Sequence, residues 1–319
     1  MLTPDYEPWF TSSRHGAGHA RDPRNIADYA ERAVFLSVED GFNIKRPALT
    51  PRLFSDARDQ AFQPGGATAE IMLDSAGELG LPYPATTPLL LASYLRLNAG
   101  DRFQTTRIAT GEIYVVLQGS GQSRKAGEQI DWNEGDVFCL PGNEAPTHHH
   151  AASSAVLYHV SDEPTLRFLG ARPPATGSSP VQTVHYLAGT ISARLKELGA
   201  RLLPPDAPGR ALNLSSSAMQ GLNTCLPSLT LTYNLIAPGD TQKPHRHNAV
   251  ALVLILQEGS CHSVIAGHPL AWSRHAVVLT PATEIHSHAN AAHGEWALAL
   301  IVQDGGLHYH ARTMGFAFA

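Results

Sequence analysis

The chain of 319 residues carries 28 acidic and 23 basic side chains, a net charge of −5, and 43% apolar residues, which is room for two domains of ordinary size with real cores. Its basic residues are scattered rather than clustered, which excludes nucleic acid and an anionic membrane surface as expected partners. No apolar run reaches the length of a membrane span, and the opening Met1-Leu-Thr-Pro-Asp-Tyr-Glu has neither part of a secretion signal, so a cytoplasmic protein is expected.

Residues 1–84 read as an N-terminal arm. Asp22-Pro23 has the form of a helix start, with proline at the first helical position, and Ile26, Tyr29, Ala30 and Ala33 make a short apolar face. Pro47, Pro51, Pro64, Pro82 and Pro84 break the rest into extended pieces. His15 and His19 are spaced for one helix face, but Gly16 and Gly18 disfavour a helix, so no metal role is expected of them.

Residues 85–170 contain the run His148-His149-His150. Consecutive strand residues face alternate sides, so at most two of the three could meet one ion, and the run is expected in a loop or a subunit contact. Arg96, Arg102 and Arg107 are expected on the solvated surface. Residues 171–222 form a linker: Pro173 to Pro180 is turn-rich, Ile191 to Leu198 has a helical pattern that ends at Gly199, and Pro204 to Gly209 is turn-rich again. Cys139, Cys225 and Cys261 are an odd number at unrelated spacings, which argues against a disulfide framework and for a reducing compartment.

Residues 223–319 carry the chemistry. Leu229, Leu231, Tyr233 and Leu235 alternate with Thr230, Thr232 and Asn234, the pattern of a half-buried strand. His245 and His247 follow, two residues apart, so on a strand both imidazoles leave from one face and can reach one ion. His286 arrives from a second predicted strand. Three imidazoles suit a first-row divalent metal: iron(II), with zinc, nickel or manganese as alternatives. Glu284 and His288 share the strand parity of His286 and are candidates for proton transfer or for orienting a ligand. Gln242 flanks the ligands, and Arg246 points to the opposite face. His308 and His310 are again two residues apart on what is expected to be a late strand.

Gly239, His245, His247 and Gly259, followed by Pro281, His286 and Asn290, resemble the two motifs of the cupin superfamily, in which a small antiparallel barrel holds a metal at its mouth. Leu252 stands where the first motif has a glutamate, and His275 where the second has a glycine. A second copy of the pattern lies upstream in Gly100, Glu112, Gly119, Gly135-Asp136 and Pro141, with Thr106, Ile108 and Pro146 at its ligand positions, so its metal site is expected to be lost. From about Thr86 onward the chain is similar to the gentisate 1,2-dioxygenase group of bicupins, which includes salicylate and 1-hydroxy-2-naphthoate ring-cleaving enzymes.

The resemblance implies an all-β fold: two cupin barrels of the double-stranded β-helix, or jelly-roll, type, residues 85–170 without ligands and residues 223–319 with them, plus the arm and short helices. It implies a mononuclear iron(II) dioxygenase that cleaves a carbon–carbon bond of an aromatic hydroxy acid or a similar O,O-chelating substrate. In that group three histidines hold the iron without a carboxylate, as in this chain, but the catalytic iron typically sits in the N-terminal barrel. The alternative is a metal-dependent cupin isomerase or lyase, or a non-catalytic binding bicupin. The expected partners are the substrate and dioxygen, in a homo-oligomer, a dimer or tetramer.

Overall fold

Two runs in the chain, Ile113 to Leu117 and Ala251 to Ile255, are apolar at every position instead of every second one. A strand reads that way when both its faces are buried, and the arrangement of sheets in the computed structural model accounts for it. Residue 29 and residues 32–42, 46–203 and 209–319 are described. The expected helix start at Asp22-Pro23, and His15 and His19, lie outside them. The chain divides into residues 1–46 and residues 47–319. In the first unit, helix α1 (Val38–Phe42) opens where Ser37 Oγ accepts the Asp40 N–H at 3.1 Å, a side-chain cap for an otherwise orphaned donor.

The second unit begins with β1 (Arg52–Leu53), α2 (Ser55–Phe62), β2 (Ala69–Met72) and α3 (Ala76–Leu79). The first barrel follows as β3 (Leu91–Leu97), β4 (Arg102–Thr105), β5 (Gly111–Gln118), β6 (Ser120–Lys125), β7 (Glu128–Asn133), β8 (Val137–Pro141), β9 (Thr147–Ala151) and β10 (Ala155–Ser161), closed by α4 (Glu163–Leu169). The linker contributes β11 (Val184–Tyr186), α5 (Ala188–Gly199) and β12 (Arg210–Leu214). The second barrel is β13 (Thr230–Ile236), β14 (His245–His247), β15 (Ala251–Gln257), β16 (Cys261–Ile265), β17 (His268–Ala271), β18 (Val277–Thr280), β19 (His286–Asn290) and β20 (Ala297–Gln303), then α6 (Gly305–Ala311) and β21 (Phe316–Phe318).

Each barrel pairs a six-stranded sheet with a smaller one. The first has β11-β8-β5-β10-β3-β2 facing β4-β9-β6-β7, and the second has β1-β18-β15-β20-β13-β12 facing β17-β16-β19-β14-β21. The two large sheets share one core: Ile113, Val115 and Tyr158 of the first barrel belong to the same buried cluster as Leu231, Leu252, Leu254 and Leu300 of the second. Residues of opposite parity on the same strands, such as Tyr114 and Val116, or Val253 and Ile255, point into separate barrel interiors. Each fully buried Leu or Ile side chain contributes about 1.5–3 kcal/mol.

The arm laces the barrels together. β1 precedes the first barrel in sequence yet extends the large sheet of the second, with Arg52 opposite Leu279, while β11 from the linker takes the equivalent edge of the first, with Val184 opposite Cys139. Phe62 of α2 stacks on His275 at 4.9 Å, and the Tyr94 hydroxyl donates to the His275 carbonyl at 2.6 Å. His275 itself has a φ of 64°, the left-handed conformation for which a glycine was the expected residue.

Several expectations need correction. His148 to His150 form part of strand β9, with His149 buried and His148 exposed, instead of decorating a loop. Arg107 is buried, because Glu70 of β2 and Glu163 of α4 approach its guanidinium. His308 and His310 lie on helix α6, not on a late strand: the chain breaks after Gln303, and Gly306 packs its backbone against Ser228, where its N–H bonds the carbonyl at 3.1 Å. The alternation in β13 is real, but its polar positions, Thr230, Thr232 and Asn234, line an internal cavity rather than meet bulk solvent.

Candidate metal centre

Strands β14 and β19 run antiparallel with His245 directly opposite His286, and the period of two puts His247 on the same face as His245. One imidazole nitrogen from each of His245, His247 and His286 lies within 4.8 Å of the others. The outer nitrogens fix which atoms these are. His245 Nδ1 bonds the Lys243 carbonyl at 2.9 Å, His247 Nδ1 the Ala249 carbonyl at 2.8 Å, and His286 Nδ1 the Glu284 carbonyl at 2.8 Å. A carbonyl only accepts, so each Nδ1 carries the proton and each Nε2 presents a free lone pair. Burial keeps the rings neutral: it lowers His245 and His247, and it takes His286 down to about 4. Three neutral imidazoles with converging Nε2 lone pairs fit a divalent transition-metal ion, which binds histidine in that form.

The cluster sits at one wall of a cavity of about 540 Å³. Among the described residues its lining besides the histidines is neutral: Asn213, Asn223, Thr230, Thr232, Asn234, Gln242, Thr280 and Gln303, with apolar Ala251, Val253 and Ile301, and Tyr309 and Phe316 among the rest. Phe316, on the C-terminal strand β21 paired with β14, stacks on His245 at 5.2 Å. Gln303 Nε2 stands 3.2 Å from His247 Nε2. Gln303, Tyr309 and Phe316 were given no role of their own from sequence. Arg246 is exposed on the far face of β14, as its strand parity indicated.

His288 is buried on the same wall, its ring 5.9 Å from that of His286. Its Nδ1 lies 2.7 Å from Ser263 Oγ, which also accepts the Trp272 indole N–H at 2.8 Å. The hydroxyl proton of Ser263 then has His288 Nδ1 as its acceptor, and this leaves the His288 proton on Nε2 as a donor on the cavity side. Burial and the neighbouring rings push His288 down to about 3, so it is neutral at ordinary pH. Glu284 is placed differently. It is exposed in the turn before β19, its carbonyl holds His286, and its carboxylate is not among the cavity-lining groups.

The first barrel repeats this construction without the ligands. Its Trp132 indole donates to Ser123 Oγ at 2.9 Å, and Ser123 Oγ lies 2.8 Å from His149 Nδ1, so His149 answers to His288. Thr105 lies opposite Thr147 where His245 lies opposite His286. The ligand positions are therefore Thr105, Arg107 and Thr147, correcting Thr106, Ile108 and Pro146. Glu112 lies opposite Ser161, and Ala251 opposite Gln303; the aspartates that follow, Asp162 and Asp304, both accept a backbone N–H, from Thr110 and Val250 respectively. The glutamate position in the second barrel is thus Ala251, while Leu252 faces the shared core.

A lysine supplies the charge in that first interior. Lys125, almost completely buried, pairs its ammonium with Glu112 Oε1, and Glu112 also receives the Thr147 hydroxyl at 3.1 Å and the Tyr114 hydroxyl at 2.5 Å. His159 Nε2 lies 3.1 Å from Glu112 Oε2. Burial alone would raise Glu112, but His159 and the Lys125 ammonium hold it well below the usual carboxylate range.

No protein-family model matches the chain. It is 34% identical over 85 residues to a 5-aminosalicylate 1,2-dioxygenase of a Comamonas species, and 29% identical over 96 residues to gentisate 1,2 dioxygenase 1 of Aquipseudomonas alcaligenes. These matches cover 27% and 30% of this chain and span only 23% and 28% of the relatives' own lengths. Over the whole fold, the salicylate 1,2-dioxygenase of Pseudoaminobacter salicylatoxidans superposes with a TM-score of 0.72 at 15% identity, covering 92% of this chain and 95% of that one. The chain has a two-barrel cupin fold. A cupin barrel-domain protein of Leptotrichia buccalis matches more loosely, with a TM-score of 0.50 at 13% identity, covering 82% of the bicupin and 97% of that chain. Among the described residues of this bicupin, no helix is long and apolar enough to cross a membrane.

Proposed function

We propose that this bicupin is a mononuclear iron(II) dioxygenase whose site lies in the second barrel, and that it cleaves a carbon–carbon bond of an aromatic hydroxy acid or a related O,O-chelating substrate of the gentisate or salicylate type. The observation that carries the reading is the convergence of the Nε2 atoms of His245, His247 and His286 on a polar cavity, each ring locked by its Nδ1–carbonyl bond. The relatives support the reaction class, since the ones matched in sequence are named as 1,2-dioxygenases of 5-aminosalicylate and gentisate.

Iron(II) bound to these imidazoles would supply redox chemistry with dioxygen and open positions for a chelating substrate. The chain's own residues do the rest. Among the described residues no carboxylate lines the cavity, so none of them repels an anionic substrate. His288, held by Ser263, offers its Nε2–H to a substrate oxygen and fixes its orientation. Asn213, Asn234 and Gln242, which also line the cavity, hydrogen-bond ring substituents without demanding a charge. Phe316, stacked on His245, and Val253 give the cavity apolar surface beside the histidines.

The test is metal analysis and oxygen uptake. Protein loaded anaerobically with iron(II) is expected to hold one iron per chain and to consume oxygen with gentisate, 5-aminosalicylate or salicylate. His245→Ala and His286→Ala should remove the metal while leaving the barrels folded. Full iron occupancy with no oxygen uptake across these substrates and catechol would reject the dioxygenase reading, and zinc or nickel as the resident metal would favour a lyase or isomerase.

A further inference from the structure

The internal repeat moves the missing carboxylate of the second barrel one residue from where the motif put it. In the first barrel Glu112 projects from β5 to the interior cation, the Lys125 ammonium, beside the hydroxyl of Thr147 at the position of His286. In the second barrel that position is Ala251, which leaves a methyl group where a carboxylate would stand. Ala251 pairs directly with Gln303 of β20, whose counterpart in the first barrel is the short Ser161. Side chains directly opposite on adjacent strands leave from the same face with their Cβ atoms about 4.5–5.5 Å apart. A long side chain from position 303 therefore reaches the volume that one from position 251 has vacated. Gln303 lies there: it lines the cavity, and its amide stands 3.2 Å from the Nε2 of His247, the nitrogen whose lone pair faces the metal position.

We infer that Gln303 is a fourth protein ligand of the metal, an amide oxygen that replaces the missing carboxylate from the neighbouring strand; this rests on the three-histidine site proposed above. The amide carries its oxygen and nitrogen on one carbon, so rotation about its terminal bond exchanges the donor that now meets His247 for an oxygen acceptor aimed at the ion. An amide oxygen is a neutral ligand. Unlike glutamate it leaves the full charge of a divalent ion unneutralised, which favours an anionic chelating substrate. It is also a weak ligand, more readily displaced than a carboxylate when substrate arrives.

The experiment measures cobalt(II) and iron(II) affinity by anaerobic titration, together with the visible spectrum of the cobalt form, for wild type, Gln303→Leu and Gln303→Glu, with circular dichroism to establish folding. Gln303→Leu should weaken affinity about tenfold or more and alter the cobalt bands, whereas Gln303→Glu should tighten binding and alter them differently. Wild-type protein that binds neither metal would remove the three-histidine site itself. Tight wild-type binding, with affinity and spectrum unchanged in Gln303→Glu, would overturn the Gln303 assignment alone, even if Gln303→Leu failed to fold. Altered oxygen uptake without a change in metal affinity or spectrum would likewise overturn it and make Gln303 a substrate contact.

Discussion

Replacing Lys125 by methionine removes the ammonium that pairs with Glu112 inside the first barrel while nearly preserving its volume. Its partner Glu112 is fully buried and would keep three neighbours, Tyr114 at 2.5 Å, Thr147 at 3.1 Å and His159 at 3.1 Å, but lose the ammonium. Breaking a buried pair from one side costs about 3–5 kcal/mol, because the remaining charge stays desolvated. The retained hydrogen bonds put the expected loss near the lower end, about 3 kcal/mol, which for a unit of this size lowers Tm by roughly 6–12 °C. Urea and thermal unfolding at neutral pH read this directly. The sign of the pH response is diagnostic. In wild type the lowered Glu112 pKa contributes stability that disappears only in strong acid, whereas in Lys125→Met the carboxyl is raised by burial, so lowering the pH neutralises it and shrinks the deficit. Adding Glu112→Gln should recover much of the loss. A single variant within about 1 kcal/mol of wild type, or a double variant in which both losses simply add, would refute the account of Lys125 as a substitute cation.

Because Lys125 fills the first interior, metal titration should saturate at one ion per chain, and a second tight site measured by equilibrium dialysis would contradict the assignment. Ser263→Ala should leave metal content unchanged yet lower kcat/KM about tenfold or more, since His288 loses the group that fixes its tautomer; unchanged steady-state kinetics would exclude that role. Metal-free protein should lose stability as the pH falls from about 6.5 towards about 3. His149, pushed down to about 3 by burial, stays neutral in the fold while the unfolded chain takes up a proton, at a cost of roughly 1 kcal/mol per pH unit for each such ring. Unfolding midpoints of wild type and His149→Gln measured across this range should converge as the pH falls. Gly142→Ala should destabilise the first barrel by more than about 1 kcal/mol, because the new Cβ would come 1.9 Å from the Ala109 carbonyl oxygen; an unchanged melting curve would show that the loop can yield.

The proximity of the three histidines was legible because strand geometry turns spacing directly into nearness: His245 and His247 share a face, and the third imidazole needed only a neighbouring strand. The first barrel was misread by one residue at each ligand position for an equally local reason. Its chain is one residue longer than the second between Arg107 and Glu112, compared with His247 and Ala251, and again between Pro141 and Thr147, compared with Pro281 and His286. Only the pairing of Thr105 with Thr147, and of Ser123 with His149, restores the alignment. Gln303, Tyr309 and Phe316 reach the cavity from the end of a strand, a helix and the C-terminal strand, so their proximity is a product of sheet order that no local pattern encodes. Glu284 shares the parity of His288, yet it precedes the strand in a turn where Thr283 has a φ of 69°, and there the alternation of faces no longer applies.

The crossing of β1 and β11 also bears on how such a gene can change. A strand encoded ahead of the first barrel completes the sheet of the second, and the connector between them returns an edge to the first. Recombination that delivered residues 209–319 as a cassette would arrive with one flank unzipped and its greasiest wall facing water. The first barrel, with Thr105, Arg107 and Thr147 where the second has three imidazoles, thereby serves as scaffolding for its neighbour.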